Sequence, residues 1–224
     1  MELKTSLVVL ASLATGVVSL ALSMNLFGGY KKRGLKETLM LALYALSYAV
    51  ANFLWATEDS FLVGNFQIAT LAYIFEYIPA YFGVLFSVLI VGIRPKLITY
   101  VSSAIIVAAI ISFLFFPLEY KIVGEIYIYY PATITKLILI AVAAMALTPV
   151  IIWIIYARGM NKFGDKKERD RGITLSIGFL LMALGKNILL PYFEVSLFMA
   201  VTICITGILV LYHGFMKREE KEAS

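Results

Sequence analysis

Seven apolar stretches, separated by segments of alternating charge, constrain this chain more than any other feature. Each runs to about 20 residues, enough for a helix to cross roughly 30 Å of hydrocarbon. A lone segment in lipid must satisfy its own backbone hydrogen bonds, so the stretches are expected to be helical. We read the spans as 5–27, 37–56, 64–92, 96–116, 132–156, 172–190 and 195–213. A hydrophobic fraction of 62% and a mean hydropathy of +0.92 exclude a soluble domain. The expected fold class is all-α: a polytopic seven-transmembrane-helix bundle. One domain is expected over 1–216, followed by a short charged cytoplasmic tail over 217–224.

Orientation follows from sorting the 19 Lys and Arg residues by segment. Lys31, Lys32, Arg33 and Lys36 lie between spans 1 and 2, and Arg94 and Lys96 between spans 3 and 4. Arg158, Lys162, Lys166, Lys167, Arg169 and Arg171 lie between spans 5 and 6, and Lys217, Arg218 and Lys221 follow span 7. Only Lys4, Lys121, Lys136 and Lys186 fall to the other side. Basic residues are retained in the cytoplasm, which predicts the N-terminus outside and the C-terminus inside a cell membrane crossed several times. The pI near 9.2 is then a topology signal and gives no support to nucleic-acid binding. A signal peptide cleaved after Ala21-Leu22-Ser23 would export the Lys31–Lys36 cluster, against the charge bias, so span 1 is expected to remain.

The segments between spans are short, so function is expected within the bundle or through a partner. The outer segment Pro117–Pro131 has partial alternation around Gly124, compatible with a β-hairpin over the outer mouth. The favoured reading is an interfacial segment whose tyrosines sit at headgroup level. The inner segment Ala157–Arg171 reads as a solvated juxtamembrane loop drawn to anionic lipid.

Catalytic signatures are absent. One cysteine, Cys204, falls in span 7 and reads as a small core residue, and the lone histidine, His213, reads as an interfacial contact, so no metal site or cofactor is expected. No phosphate loop, nucleophile elbow or H-E-x-x-H occurs, and an enzyme is not expected. Span 7 has no lysine for a retinal Schiff base, and Gly92-Ile-Arg-Pro-Lys96 lacks the acidic-arginine-aromatic motif of many eukaryotic seven-helix receptors.

Glu76 is the one acid deep inside a span, about 18 Å along span 3 from Gly64. A carboxylate at that depth is expected to be protonated, hydrogen-bonded or facing a wet cavity. Ala69, Ala72, Glu76, Ala80, Gly83 and Ser87 follow three- and four-residue steps, a stripe of small side chains suited to helix packing, so Glu76 should face protein. Pro79 removes the amide that would pair with the Phe75 carbonyl and predicts a kink beside the acid. Tyr73 and Tyr77 flank it, and candidate partners from other spans are Asn52, Trp55, Lys136, Lys186 and Asn187. The spans ending in Asn52–Glu58 and Asn187–Glu194 show a weak internal similarity compatible with parallel three-helix repeats.

From Leu71 to Lys96, the run LAYIFEYIPAYFGVLFSVLIVGIRPK resembles the third helix of the seven-transmembrane sensor region at the N-terminus of many prokaryotic histidine kinases. That family places aromatic residues, a Glu-Tyr-like pair and a proline there, matched by Glu76, Tyr77 and Pro79. The resemblance covers some 25 residues, and with no kinase or PAS domain expected after Lys217 it implies a sensor module acting through a separate cytoplasmic signalling protein. On this reading a small-molecule ligand binds in the outer half near Glu76, Tyr73, Tyr77, Asn52, Trp55, Lys186 and Asn187. The alternatives are a structural acid that holds helices together through Tyr, Asn or Lys contacts, and a small secondary transporter or channel in which Glu76 couples to protons or ions. The inner halves of the spans carry little charge, which favours the receptor.

Overall fold

The computed structural model describes residues 2–62, 64–92, 96–116, 118–123, 126–184 and 197–222. Capping chemistry sets the helix ends. α1 (Glu2–Arg33) stops at Gly34, whose φ of 69° suits glycine alone and whose amide donates to the Tyr30 carbonyl at 2.7 Å. α2 (Lys36–Ser60) follows, and α3 (Phe66–Val91) begins at Asn65, whose side-chain oxygen accepts from the Gln67 and Ile68 amides, each at 3.1 Å. The remaining helices are α4 (Lys96–Phe115), α5 (Thr133–Lys162), α6 (Lys166–Leu184) and α7 (Leu197–Glu222). α1 to α5 are each long and apolar enough to cross a membrane, whereas the apolar part of α7 found by the same measure is the shorter stretch Thr202–Met216.

Side-chain contacts give each helix its direction. Gly16 faces Phe53 and Ser23 donates to the Ala42 carbonyl at 3.0 Å, so α1 and α2 run antiparallel. Trp55 meets Glu76 and Tyr44 meets Gly83, which makes α2 and α3 antiparallel. α3 and α5 are parallel, Gly83 facing Pro149 and Ser87 facing Trp153. α6 and α7 are antiparallel, with Gly207 against Met182 and Gly178 against Leu211. α1 packs on α2, α2 on α3, α5 on α6 and α6 on α7; α7 returns to α1, and α4 packs against α3 and α5. The described basic segments around Lys31–Lys36, Lys96 and Lys162–Arg171 thereby collect at one end of the bundle.

The core is sorted as expected for a bundle surrounded by hydrocarbon. Leu10, Val17, Leu114, Ile140 and Ile155 are exposed on the flanks, while Ser12, Thr15, Ser19 and Ser23 are buried along one face of α1. Small hydroxyl side chains let helices approach closely where lipid provides no hydrophobic drive between them.

Two sequence expectations are corrected. Pro117–Pro131 was expected chiefly as an interfacial segment, yet β1 (Glu119–Val123) and β2 (Ile126–Tyr130) form an antiparallel hairpin with Glu119 opposite Tyr130 and Val123 opposite Ile126. Tyr129 provides the physical reason, since its ring is buried among Ala69, Phe113 and Leu118 and holds the hairpin against α3 and α4. The 157–171 segment is not a loop either. α5 extends to Lys162 and α6 begins at Lys166, because Gly164 (φ 76°) allows the reversal and the Asp165 carboxylate accepts from the Glu168 amide at 3.0 Å.

Candidate functional site

α3 carries Glu76 on the face that meets α2. The Trp55 indole Nε1 donates to Glu76 Oε2 at 3.0 Å, so the carboxylate is hydrogen-bonded across the helix pair. The stripe around it turns inward, with Ala69, Ala72, Gly83 and Ser87 buried. Trp55 also meets Tyr73 edge to face at 5.1 Å between centroids, and Tyr73, Tyr77 and Phe113 stack on one another at 5.6 to 6.2 Å. The Tyr73 hydroxyl donates to the Tyr129 carbonyl at 3.0 Å. Trp55, Tyr73, Glu76 and Tyr77 thus form one aromatic layer beneath the hairpin.

One other predicted residue turns away from this layer. Asn52 is buried, but its side-chain amide donates to the Tyr48 carbonyl one turn earlier at 2.7 Å. That geometry is a back-bond within α2, available to any short amide whose rotamer points along the helix. Lys186 and Asn187 lie outside the described residues.

Below the aromatic layer, Glu76, Tyr77, Pro79 and Gly83 line a cavity of about 30 Å³ with Tyr44 and Tyr48 of α2, Pro149 of α5 and Met182 of α6. The opening arises where two helices are interrupted. Pro79 removes the intrahelical donor to the Phe75 carbonyl, and Pro149 does the same to Met145. Gly83 permits the close approach of α6 to α3, since a Cβ there would sit 3.0 Å from the Phe179 ring, while Pro149 of α5 at 3.5 Å would stay in ordinary contact. A cavity this size holds about two waters, or a ligand of comparable bulk. Among the described residues no group of three His, Cys, Asp or Glu converges to hold a metal ion.

Two polar clusters were not foreseen. At the hairpin end, Glu58 is only 2% exposed, and its Oε1 accepts from the Tyr129 hydroxyl at 2.6 Å and from the Gly64 amide at 2.9 Å. Extending the helical step Tyr48–Ala51–Trp55 by three residues reaches Glu58, a sequence signal that places it on the same face. At the basic end, Trp153 Nε1 donates to Ser87 Oγ at 3.0 Å, and Glu168 Oε2 accepts from the Tyr156 hydroxyl at 2.9 Å and from Arg171 Nη1 at 3.1 Å. These bonds tie α3, α5 and α6 together about one turn and more beyond the cavity. The chain matches no protein-family model, no curated protein and no solved structure.

Proposed function

We propose that this chain is a receptor-like seven-helix sensor of the cell membrane, N-terminus outside and C-terminus cytoplasmic, that binds a small ligand beside Glu76 and signals to a separate cytoplasmic partner. The observation that carries the reading is the cavity at the paired interruptions of α3 and α5, with one carboxylate and three tyrosines in its wall. Proline interruptions lower the resistance of both helices to bending at the level where a ligand would sit. From there α5 runs continuously to Trp153 and Tyr156, whose bonds reach Ser87 of α3 and Glu168 of α6. A ligand that prefers one relative setting of α3 and α5 would shift this inner cluster by as much as its differential affinity for the two settings. A ligand larger than about two heavy atoms requires the helices that line the cavity, α2, α3, α5 and α6, to move apart.

The test is a stability screen of small soluble molecules against the purified chain in lipid nanodiscs, with Glu76→Gln in parallel and Trp55 emission as a second readout. The reading expects a molecule that stabilises the native chain and not the variant. Crosslinking in native membranes, with a topology-matched control, then identifies the cytoplasmic partner. No selective ligand and no partner would refute it.

The alternative, a small transporter or channel, is favoured by one feature: the cavity suits water or a small ion better than an organic molecule. Proton or cation flux into proteoliposomes that Glu76→Gln abolishes would establish that alternative.

A further inference from the structure

Arg171 of α6 is 4% exposed, and only part of its guanidinium is used. Nη1 donates to Glu168, and the group lies 5.9 Å from the centre of the Trp153 ring. Nε and Nη2 are buried and have no hydrogen-bond acceptor among the described residues. These two N–H groups form the side fork of the guanidinium, whose parallel donors match two oxygens of one oxyanion. A buried charged donor without an acceptor is strongly unfavourable, so the fork calls for an acceptor from outside this cluster.

The neighbouring acids of α6 are already engaged. Asp165 caps the helix, Asp170 pairs with Arg169 at 2.7 Å, and Glu168 receives both Tyr156 and Arg171. The end of α7 carries both signs, with Lys217, Arg218 and Lys221 beside Glu219, Glu220 and Glu222. Leu211 lies against Gly178 and Gly214 against Leu175, and one further turn of this antiparallel register brings position 218, an arginine, level with position 171. α1 meets α7 at Asn25 and Tyr212, 2.5 Å apart, and ends a few residues later in Lys31, Lys32 and Arg33.

We propose that the Arg171 fork is a binding site for a phosphate-type oxyanion, seated between α6 and α7 at the basic end of the bundle. An anionic phospholipid headgroup or a soluble phosphate could supply the same chemistry. The site does not depend on the ligand proposed at Glu76.

The experiment uses the full chain, delipidated and returned to nanodiscs of phosphatidylcholine alone or with phosphatidylglycerol, and separately exposed to millimolar inorganic phosphate. Native mass spectrometry reads retained lipid and thermal unfolding reads stabilisation. The variants are Arg171→Gln, Arg171→Lys, which keeps the charge but loses the fork, and Lys166→Gln/Lys167→Gln as a control for general basic attraction. The proposal expects retained phosphatidylglycerol, or stabilisation by phosphate, to fall about tenfold or more in both Arg171 variants and to persist in the control. Response to phosphatidylglycerol alone assigns the lipid, and response to inorganic phosphate assigns the soluble anion. Equal retention and stabilisation in the native chain and Arg171→Lys would overturn the proposal. So would an oxyanion-insensitive native chain in which Glu219→Gln/Glu220→Gln/Glu222→Gln destabilises as much as Arg171→Gln, because an internal carboxylate would then fill the fork.

Discussion

Tyr129→Phe isolates the contact that seats the hairpin. The substitution removes one hydroxyl and keeps the ring that packs against Phe66, Ala69 and Phe113. The lost bond, 2.6 Å from the hydroxyl to Glu58 Oε1, is short, and both partners are buried, Tyr129 at 6% and Glu58 at 2% exposure. Leaving a buried acceptor short of a donor costs about 1–3 kcal/mol. Glu58 keeps the Gly64 amide at 2.9 Å, so a middle value of about 2 kcal/mol is expected. For a chain of this length that corresponds to a fall of about 4–8 °C in Tm. Thermal unfolding in nanodiscs measures it, and hydrogen exchange localises it, with faster exchange expected in 126–130 and at the start of α3. A double-mutant cycle with Glu58→Gln should return a coupling of about 1–3 kcal/mol. Additive single effects, or a Tm unchanged by Tyr129→Phe, would refute the claim that this bond holds the hairpin down.

Other expectations follow from the same contacts. Glu76→Gln should leave the fold intact while weakening binding of an identified ligand, and Glu76→Ala should cost about 1–3 kcal/mol of stability by leaving the Trp55 indole without its acceptor, both read by titration and melting of the purified chain. Gly178→Ala places a methyl 2.7 Å from Leu211 Cγ and 2.9 Å from its backbone nitrogen, so α6 and α7 must separate, at about 1–3 kcal/mol in unfolding experiments. Trp153→Phe removes the donor to Ser87 and should lower stability by about 1 kcal/mol or more, whereas Ser87→Ala in the same background should add little. In a Cys204→Ala background, cysteines placed at Glu119 and Lys167 should react with impermeant reagent only from opposite faces of sealed vesicles. Labelling of both from one face would contradict the proposed orientation.

Much of this architecture is written in local pattern. Span-length apolar runs predict long helices in a low-dielectric setting, and α1 to α5 are long and apolar enough to cross a membrane. The spacing of Ala69, Ala72, Glu76, Gly83 and Ser87 is sufficient to turn Glu76 towards protein, because helical periodicity alone decides which side chains share a face. Tyr73 and Tyr77 lie close enough to Glu76 in helix register for their grouping to be read in advance, whereas Trp55 was one of several candidate partners from other spans. Contacts between distant segments were not legible. Tyr129 and Glu58 are 71 residues apart, and their bond depends on a hairpin whose alternation is only partial and read more readily as an interfacial segment. Asn52 has the right place for Glu76 but a rotamer that returns to its own helix, a choice made by packing. Arg171 reads as one more solvated charge in a basic segment until the bundle buries it beside Trp153 of α5. The cavity has the same origin, since Pro79 and Pro149 each predict a local interruption, but only the parallel packing of α3 on α5 brings the two together beside a carboxylate. Periodicity constrains what each helix presents; how helices far apart in the chain align is set by side-chain shape and paired polar groups, which exist only once the bundle has closed.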